Sequence, residues 1–222
     1  MSYDRTVEGQ FHSRLNRFVA QVWIGETLET VHVKNTGRCG ELLLSGARVI
    51  LAPAGNPGRK TRYDLVSVYK ENLGWVNIDS QAPNRVMVEW LAEQKYTYIK
   101  PEYSFGESRL DFYLEQGEER FLMEVKGCTL EVDGVGYFPD APTVRGVKHI
   151  QELKGAVEKG YHGILAFVIQ MEGVGQVLPN VETHPAFGAA LHQAKDAGVE
   201  VWYMRCRVTE DTLKIVGKDI ME

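Results

Sequence analysis

The sequence has few cysteines, and they follow no pattern that would link the fold covalently or hold a structural metal. Three cysteines, Cys39, Cys128 and Cys206, stand far apart in 222 residues and form no C-x-x-C pair. An odd and scattered set argues against both a disulfide framework and a zinc ribbon. A reducing compartment therefore fits best.

Long hydrophobic runs are also missing. The longest purely apolar run, Ile164 to Ile169, is too short to span a bilayer. Near the N-terminus, Asp4, Arg5 and Glu8 stand where a secretory signal would carry an apolar core. These features predict a cytoplasmic protein with no membrane partner.

Positive net charge is absent too, since the formal net charge is −5. Nucleic-acid-binding domains are usually basic overall. Any site for a polyanion must therefore be a local patch of basic side chains.

Several well-known catalytic signatures do not occur. The segment from Gly55 to Thr61 has too few residues between its glycines for a phosphate-binding loop, and an alternating strand pattern follows it. The sequence contains neither an H-E-x-x-H pair nor a G-x-S-x-G elbow. Zinc hydrolysis and α/β-hydrolase chemistry thus have no supporting motif.

What is present is ordinary globular composition, 44% hydrophobic and 25% charged, with a change of pattern near residue 80. Before that point, short strand-like runs alternate with turn signals. These runs are Phe18 to Ile24, Leu28 to Lys34, Arg48 to Ala52, Tyr63 to Lys70 and Gly74 to Ile78. Residues 1–80 are predicted to form a small β-barrel of the oligonucleotide-binding (OB) type, with an SH3-like barrel as the alternative.

Residues 81–222 show a mixed α/β (α+β) pattern. The periodicity predicts helices over Asn84 to Gln94, Val144 to Lys159 and Pro185 to Ala197, and strands over Ile164 to Gln170 and Val199 to Arg207. A mixed sheet with helices on both faces is the expected architecture.

The second part also contains a predicted hairpin, in which Gly117 and Glu118 suit a two-residue loop. Closing the hairpin there fixes the register of its strands. One face then pairs Leu110 with Val125, Phe112 with Met123 and Leu114 with Phe121. The other face pairs Arg109 with Lys126, Asp111 with Glu124, Tyr113 with Leu122 and Glu115 with Arg120. The prediction is one apolar face and one charged face.

The expected neighbours Asp111 and Glu124 carry the chemistry. Like charges that lie opposite each other on a sheet destabilise it, and a hard divalent cation would remove the repulsion. Lys126 points to the same face as Glu124 and would orient or help to deprotonate a metal-bound water. The alternative interpretation is a solvated hairpin whose charges neutralise one another.

Two groups of basic residues are candidates for phosphate contacts. On the helix near Val144 to Lys159, the apolar residues Val147, Ile150, Leu153 and Val157 should be buried, which leaves Arg145, Lys148 and His149 on another side. Arg59, Lys60 and Arg62 follow the Gly/Pro-rich loop of the predicted barrel, where single strands are commonly bound. A purely solvated polar face is an equally good interpretation of the helical group.

Several separate segments together resemble one family. These segments are Asn35 to Cys39, Arg59 to Tyr63, Ser108 to Phe112, Glu124 to Lys126, Phe138 to Thr143, Arg145-Gly146 and Lys148-His149. Their order and spacing resemble the bacterial and archaeal sugar fermentation stimulation protein A family over nearly the whole chain.

The resemblance implies an OB-like barrel followed by a domain of the restriction-endonuclease-like PD-(D/E)xK fold. It also implies non-specific DNA binding, with RNA left open, and a regulatory link to maltose use. The superfamily's acidic pair matches Asp111 and Glu124, and its lysine matches Lys126, although Leu110 stands where the motif often has proline.

The resemblance further implies a site for Mg²⁺ or Mn²⁺ formed by Asp111, Glu124 and the carbonyl of Val125. Glu89 is the preferred extra acid, with Glu93 and Glu102 as alternatives. Arg109 joins the candidate nucleic-acid contacts. The expected function is a metal-dependent nuclease, and the alternative is a non-catalytic, DNA-binding transcriptional regulator on the same scaffold.

Overall fold

The computed structural model describes residues 1–56 and 58–221, and its N-terminal half is built from short strands. These strands are β1 (Val7–Asn16), β2 (Val19–Ile24), β3 (Thr27–Val33), β4 (Arg48–Pro53), β5 (Tyr63–Lys70) and β6 (Gly74–Asn77). β1 pairs with both β2 and β4, and β5 pairs with β4 and with β3. Because β2 also pairs with β3, strands β1 to β5 close into a barrel with the OB order, as predicted.

The barrel contains one strand that the sequence pattern does not predict. β1 carries mostly polar residues, and Phe11 is the one buried residue along its length. Val7, Phe11 and Leu15 lie on one face of the strand, but the small residues Gly9 and Ser13 stand between them, so the apolar signal is weak. Branched apolar side chains fill the barrel interior, among them the fully buried Val22, Val31 and Leu65.

The C-terminal half is a mixed sheet with helices on both faces, as predicted. Its elements are α1 (Ala82–Ala92), β7 (Tyr98–Phe105), β8 (Ser108–Gln116), β9 (Glu119–Cys128), β10 (Leu130–Val132), β11 (Val135–Phe138), α2 (Val144–Val157), β12 (His162–Ile169), β13 (Val177–Pro179), α3 (Pro185–Asp196), β14 (Glu200–Val208) and β15 (Leu213–Ile220). The main sheet has the order β15-β14-β12-β9-β8-β7, and β12 runs parallel to both β9 and β14. α1 packs against β9 and β15, whereas α2 packs against β8, β9 and β12.

The hairpin of β8 and β9 has the predicted register, with Phe112 opposite Met123 and Gln116 opposite Glu119. The prediction of one charged face is wrong over the middle of the hairpin. Tyr113 and Leu122 are buried as well, because helices cover both sides of this sheet.

The two halves are tied together by polar contacts at their interface. The Gln170 side chain, at the end of β12, donates to Asn77 Oδ1 at 2.9 Å and is itself buried. Lys70 of the barrel pairs with Glu131 at 2.6 Å. No helix within the described residues is long and apolar enough to cross a membrane.

Candidate functional site

The predicted acidic pair and lysine line a cavity of about 430 Å³ between the barrel and the C-terminal sheet. Asp111, Glu124, Val125 and Lys126 lie on the sheet side, and Arg17 and Asn35 belong to the barrel. The structure therefore brings Asp111, Glu124 and Lys126 together, although they come from two strands.

The two strands part at the site itself. The last backbone pair of the hairpin is Phe112 with Met123. At the next position the Asp111 carboxylate, instead of a backbone carbonyl, accepts a hydrogen bond from the Val125 N–H at 2.8 Å. Asn84 of α1 donates to the other Asp111 oxygen, also at 2.8 Å. Asp111 thus does not extend the ladder with Glu124, and its carboxylate is held by the backbone and by α1.

Burial and the negative charge of Glu124 raise the pKa of Asp111 above the usual carboxyl value, despite these two hydrogen bonds. Glu124 behaves in the opposite way. Burial opposes its ionisation, but hydrogen bonding to His149 and the charge of Lys126 hold the pKa of Glu124 below its usual value. The pair is therefore electrostatically asymmetric, with Glu124 the stronger acid.

The two oxygens of Glu124 have different surroundings. Oε1 accepts hydrogen bonds from Lys126 Nζ and from the His149 ring. Oε2 is buried and has no hydrogen-bond partner within the described part of the chain. A buried, unpartnered carboxylate oxygen is costly, and it is the kind of atom that a cation would satisfy.

His149 was predicted to face nucleic acid, but its side chain is only 5% exposed. Its Nδ1 meets Glu124, and its Nε2 accepts from Arg145 Nε at 3.3 Å. His149 is therefore a buried link that holds Glu124, whereas the exposed Arg145 lines the cavity as expected.

The expected third acid, Glu89, is not in the cavity. It pairs with the N-terminal ammonium group at 2.7 Å and is half exposed. Glu89 lies five positions after Asn84 on α1, a rotation of about 140° around the helix, so only one of them can face Asp111. The alternatives Glu93 and Glu102 are exposed, and Glu102 pairs with Arg109 instead.

The remaining basic candidates lie outside the central cavity. Arg59 pairs with Asp64 at 2.9 Å beside a neighbouring cavity, and Arg62 pairs with Glu29. Arg109 is exposed on β8, Lys60 is exposed in its loop, and Lys148 contacts Glu107. These side chains are therefore not part of the carboxylate cluster.

The barrel contributes a loop that sequence reasoning noted only through the family resemblance. Asp140 accepts a hydrogen bond from the Cys39 N–H at 2.7 Å, which docks residues 35–39 onto the C-terminal half. Gly37 is required there, because a Cβ atom would lie 2.7 Å from the Asp140 carboxylate. The docked loop places Arg17, whose Nε donates to the Thr36 carbonyl at 2.6 Å, at the edge of the cavity.

The residues fit a divalent cation with few protein ligands. Within residues 1–56 and 58–221, no group of three or more His, Cys, Asp and Glu side chains is arranged to hold a metal. Mg²⁺ is commonly bound by one or two carboxylates, substrate phosphates and several waters. Asp111, Glu124 and the backbone of Val125 would meet that requirement.

Sequence reasoning missed Asn84, Arg17 and Asp140. Asn84 and Arg17 are not acidic, so a search for clustered acids does not select them. Asp140 is acidic but lies outside the hairpin in the sequence. The segments around Gly37 and Asp140 gave the one available signal, since both belong to the set that carries the family resemblance.

Comparisons with known proteins agree with this architecture. A family model described as "Sugar fermentation stimulation protein RE domain" matches residues 81–212, and one described as "SfsA N-terminal OB domain" matches residues 13–78. A "Sugar fermentation stimulation protein homolog" of Desulfitobacterium hafniense is 51% identical over 217 residues, covering 96% of this chain and 95% of the relative. A homolog of that name from Clostridium beijerinckii is 45% identical over 219 residues, covering 97% and 96%.

A solved structure of Pyrococcus furiosus SfsA in complex with Ca²⁺ has a TM-score of 0.85 to this chain. It is 28% identical and covers 98% of this chain and 96% of its own. The OB barrel, the mixed-sheet domain and both family models lead to the same assignment. This chain belongs to the sugar fermentation stimulation protein family.

Proposed function

We propose that this protein is a DNA-binding, divalent-metal-dependent phosphodiesterase of the PD-(D/E)xK type, without sequence specificity. The observation that carries the proposal is the unpartnered, buried Oε2 of Glu124, which lies beside Asp111 and Lys126 in a cavity rimmed by arginines. A cation would compensate this oxygen and the repulsion between the two carboxylates. RNA offers the same phosphodiester chemistry and belongs among the substrates to be tested.

Mg²⁺ or Mn²⁺ would be held by Asp111, Glu124 and the Val125 carbonyl, and it would supply Lewis-acid polarisation of the phosphoryl group and an acidified water. The Ca²⁺ complex of the related Pyrococcus furiosus protein supports a site for hard cations. Ca²⁺ and Mg²⁺ both prefer oxygen ligands.

The protein's own groups have separable roles in this proposal. Lys126, whose ammonium group pairs with Glu124, orients the attacking water and stabilises the negative charge that develops on it. Arg17 and Arg145 approach the cavity from opposite domains and neutralise the phosphate. His149 holds Glu124 in place and touches no substrate.

The second candidate is a DNA-binding regulator of sugar genes, those for maltose included, that does not cut. The names of the relatives favour a link to sugar metabolism. The carboxylates weigh against a pure binder, because negative charge next to a phosphate weakens binding unless a cation compensates it.

Incubation of labelled DNA and RNA with the protein and Mg²⁺, Mn²⁺ or EDTA tests the proposal. We expect cleavage that requires the divalent ion and is lost in Asp111→Ala and Lys126→Ala. Asp196→Ala, a change at an exposed carboxylate on α3, serves as the matched control and should cleave normally. Binding without cleavage under every metal and substrate would favour the regulator.

Binding should also weaken as salt rises, because phosphate contacts release counterions. Affinity that does not change with salt would contradict both candidates.

A further inference from the structure

The carboxylate cavity does not stand alone, since two further cavities adjoin it. One is a space of about 480 Å³ whose walls include Arg17 and Arg38. The other is a space of about 320 Å³ whose walls include Phe18 and Arg59. Thr36 lines all three, so the cavities meet at the docked loop of residues 35–39, and together they are called the groove.

The walls of this groove come from two loops of the barrel. Arg17 and Phe18 form the turn between β1 and β2, and Arg59 lies in the loop between β4 and β5. In OB barrels the loops at these two positions bind oligonucleotides. Here Arg17 of the first loop lines the cavity of Asp111 and Glu124 itself, and Arg59 of the second loop lines the cavity that adjoins it.

The groove offers the chemistry that a nucleic-acid strand requires. Arg17 and Arg38 are exposed cations at one end. Phe18 is an aromatic side chain left 47% exposed at the other end, where it is available to stack on a base. Charged contacts to phosphates alternating with an aromatic platform are the usual features of single-strand binding sites.

The depth of the site argues for one strand instead of two. Glu124 is 2% exposed and lies between two domains, whereas a duplex presents its phosphates on the outside of a rod. Cavities of a few hundred Å³ accommodate ligands of roughly nucleotide size. A separated strand can bring a phosphate down to Glu124 while its neighbouring nucleotides occupy the flanking cavities.

We propose that the substrate is a single strand of nucleic acid, which runs from the Arg38 end of the groove, over the Asp111–Glu124 pair, to Phe18. The proposal rests on the proposed function for the central cavity and adds the substrate class and the path. Duplex DNA, structured RNA and free mononucleotides are the competing ligands.

Fluorescence anisotropy in Mg²⁺ tests the path, with Lys126→Ala as the parent protein, because this variant keeps both metal-binding carboxylates and is expected not to cleave. The probes are labelled oligothymidylates of one to about eight nucleotides, a blunt hairpin duplex and labelled thymidine monophosphate. We expect affinity to rise steeply up to about four nucleotides and then to level off. The duplex should compete poorly with an oligomer of equal charge.

Two variants assign the ends of the groove. Phe18→Leu should weaken oligomer binding about 5- to 150-fold, the range that base stacking supplies, while Phe18→Trp should bind at least as well as the parent protein. Arg17→Gln should lower the slope of log affinity against log salt by about 0.7. The matched controls Tyr98→Leu and Arg205→Gln, at exposed positions outside the groove, should change neither quantity.

The outcomes separate this inference from the function on which it rests. Equal or tighter binding of the duplex, equal binding of the mononucleotide, or a loss in Tyr98→Leu as large as in Phe18→Leu would overturn the single-strand path. Metal-dependent cleavage of duplex alone would do so as well and would leave the phosphodiesterase standing. Binding of single strands that depends on Phe18, with no cleavage by the native chain under any divalent ion, would support the path and overturn the phosphodiesterase.

Discussion

Replacing Asp111 by asparagine should make the protein more stable without divalent metal and less stable with it. The amide is isosteric and can still accept the hydrogen bond that the carboxylate receives from the Val125 N–H. Asn84 can turn its own amide to accept from the new NH₂ group. The change therefore removes one negative charge beside Glu124 while the hydrogen bonds are kept.

The size of the gain follows from electrostatics. Like charges on neighbouring strands cost about 0.2–1 kcal/mol where they are exposed and directly opposed; Asp111 and Glu124 are not paired in the ladder, but they are buried, which adds to the cost, so we expect a gain of about 1 kcal/mol at neutral pH. Because the pKa of Asp111 is raised in the folded state, the stability contributed by its proton is present at low pH and is lost as pH rises through the folded value. The advantage of Asp111→Asn should therefore shrink as the pH falls, because Asp111 takes up its proton at a higher pH than an ordinary carboxyl and is then no longer charged beside Glu124.

A divalent ion should reverse the order. A ligand at about 100 times its dissociation constant stabilises the folded state by about 2.7 kcal/mol. This stabilisation by bound metal exceeds the electrostatic gain expected for Asp111→Asn. The variant should obtain less of it, because it lacks one of the two carboxylate ligands. The native chain should then be the more stable protein in saturating Mg²⁺ or Mn²⁺.

Urea unfolding in EDTA and in Mg²⁺ measures both effects, with thermal midpoints that should differ by about 2–4 °C per kcal/mol. Asp196→Asn on α3, where the carboxylate is 67% exposed, is the control and should stay within about 0.5 kcal/mol of the native chain. If Asp111→Asn were the less stable protein in EDTA, or gained as much from Mg²⁺ as the native chain, the account of the carboxylate pair would be refuted.

Three further substitutions test the surroundings of the pair. Gly127→Ala should cost about 1–3 kcal/mol in urea unfolding, because its Cβ would meet the Gln170 carboxamide and lie 2.8 Å from Pro83 Cγ; an unchanged midpoint would contradict that packing. Arg14→Ala should cost about 2 kcal/mol, because the guanidinium donates to backbone carbonyls of residues 16, 17, 37 and 38, and Arg205→Ala is the control. His149→Ala should raise the pKa of Glu124 and so move the acidic limb of the pH–rate profile for cleavage to higher pH. His149→Asn, whose side-chain amide can replace the Nδ1–H donor, should move it less. Equal profiles for the two variants and the native chain would show that His149 does not hold Glu124.

The barrel and the hairpin were predictable because their signals are local. Gly117 and the alternating apolar residues around it specify a register, and the structure confirms that register from Phe112 to Gln116. Burial on both sides of the sheet was not predictable from the hairpin, since it depends on α1 and α2 packing against opposite faces. Strands β1 and β7 were not predicted because most of their residues are exposed or half-buried, and the face that carries their apolar residues is interrupted by Gly9 and Ser13 in β1 and by Pro101 in β7.

The residues of the candidate site also differ in whether local sequence signals predict them. That Asp111, Glu124 and Lys126 lie close together was predictable, because a hairpin joins them within a short stretch of chain. His149 was predicted to be a cation that faces phosphate, but it is a buried hydrogen-bonding partner of Glu124. Helical periodicity does not predict this burial, because the adjacent residues Ile150 and His149 are both buried. The places of Arg17 and Asp140 in or beside the site could not be predicted from the sequence, because they depend on how the barrel docks on the C-terminal half.

That docking accounts for the cluster of cations around the carboxylate cavity, on which the proposed site for a polyanion depends, in a chain whose net charge is negative. Asp140 receives the Cys39 N–H and so draws the barrel loop toward the sheet. The same contact places Arg17 at the edge of the carboxylate cavity, which Arg145 of the other domain also lines, and Arg38 in the cavity that adjoins it. Cations from two domains therefore surround two carboxylates, and the local charge at the site is set by the interface and not by the composition of either domain.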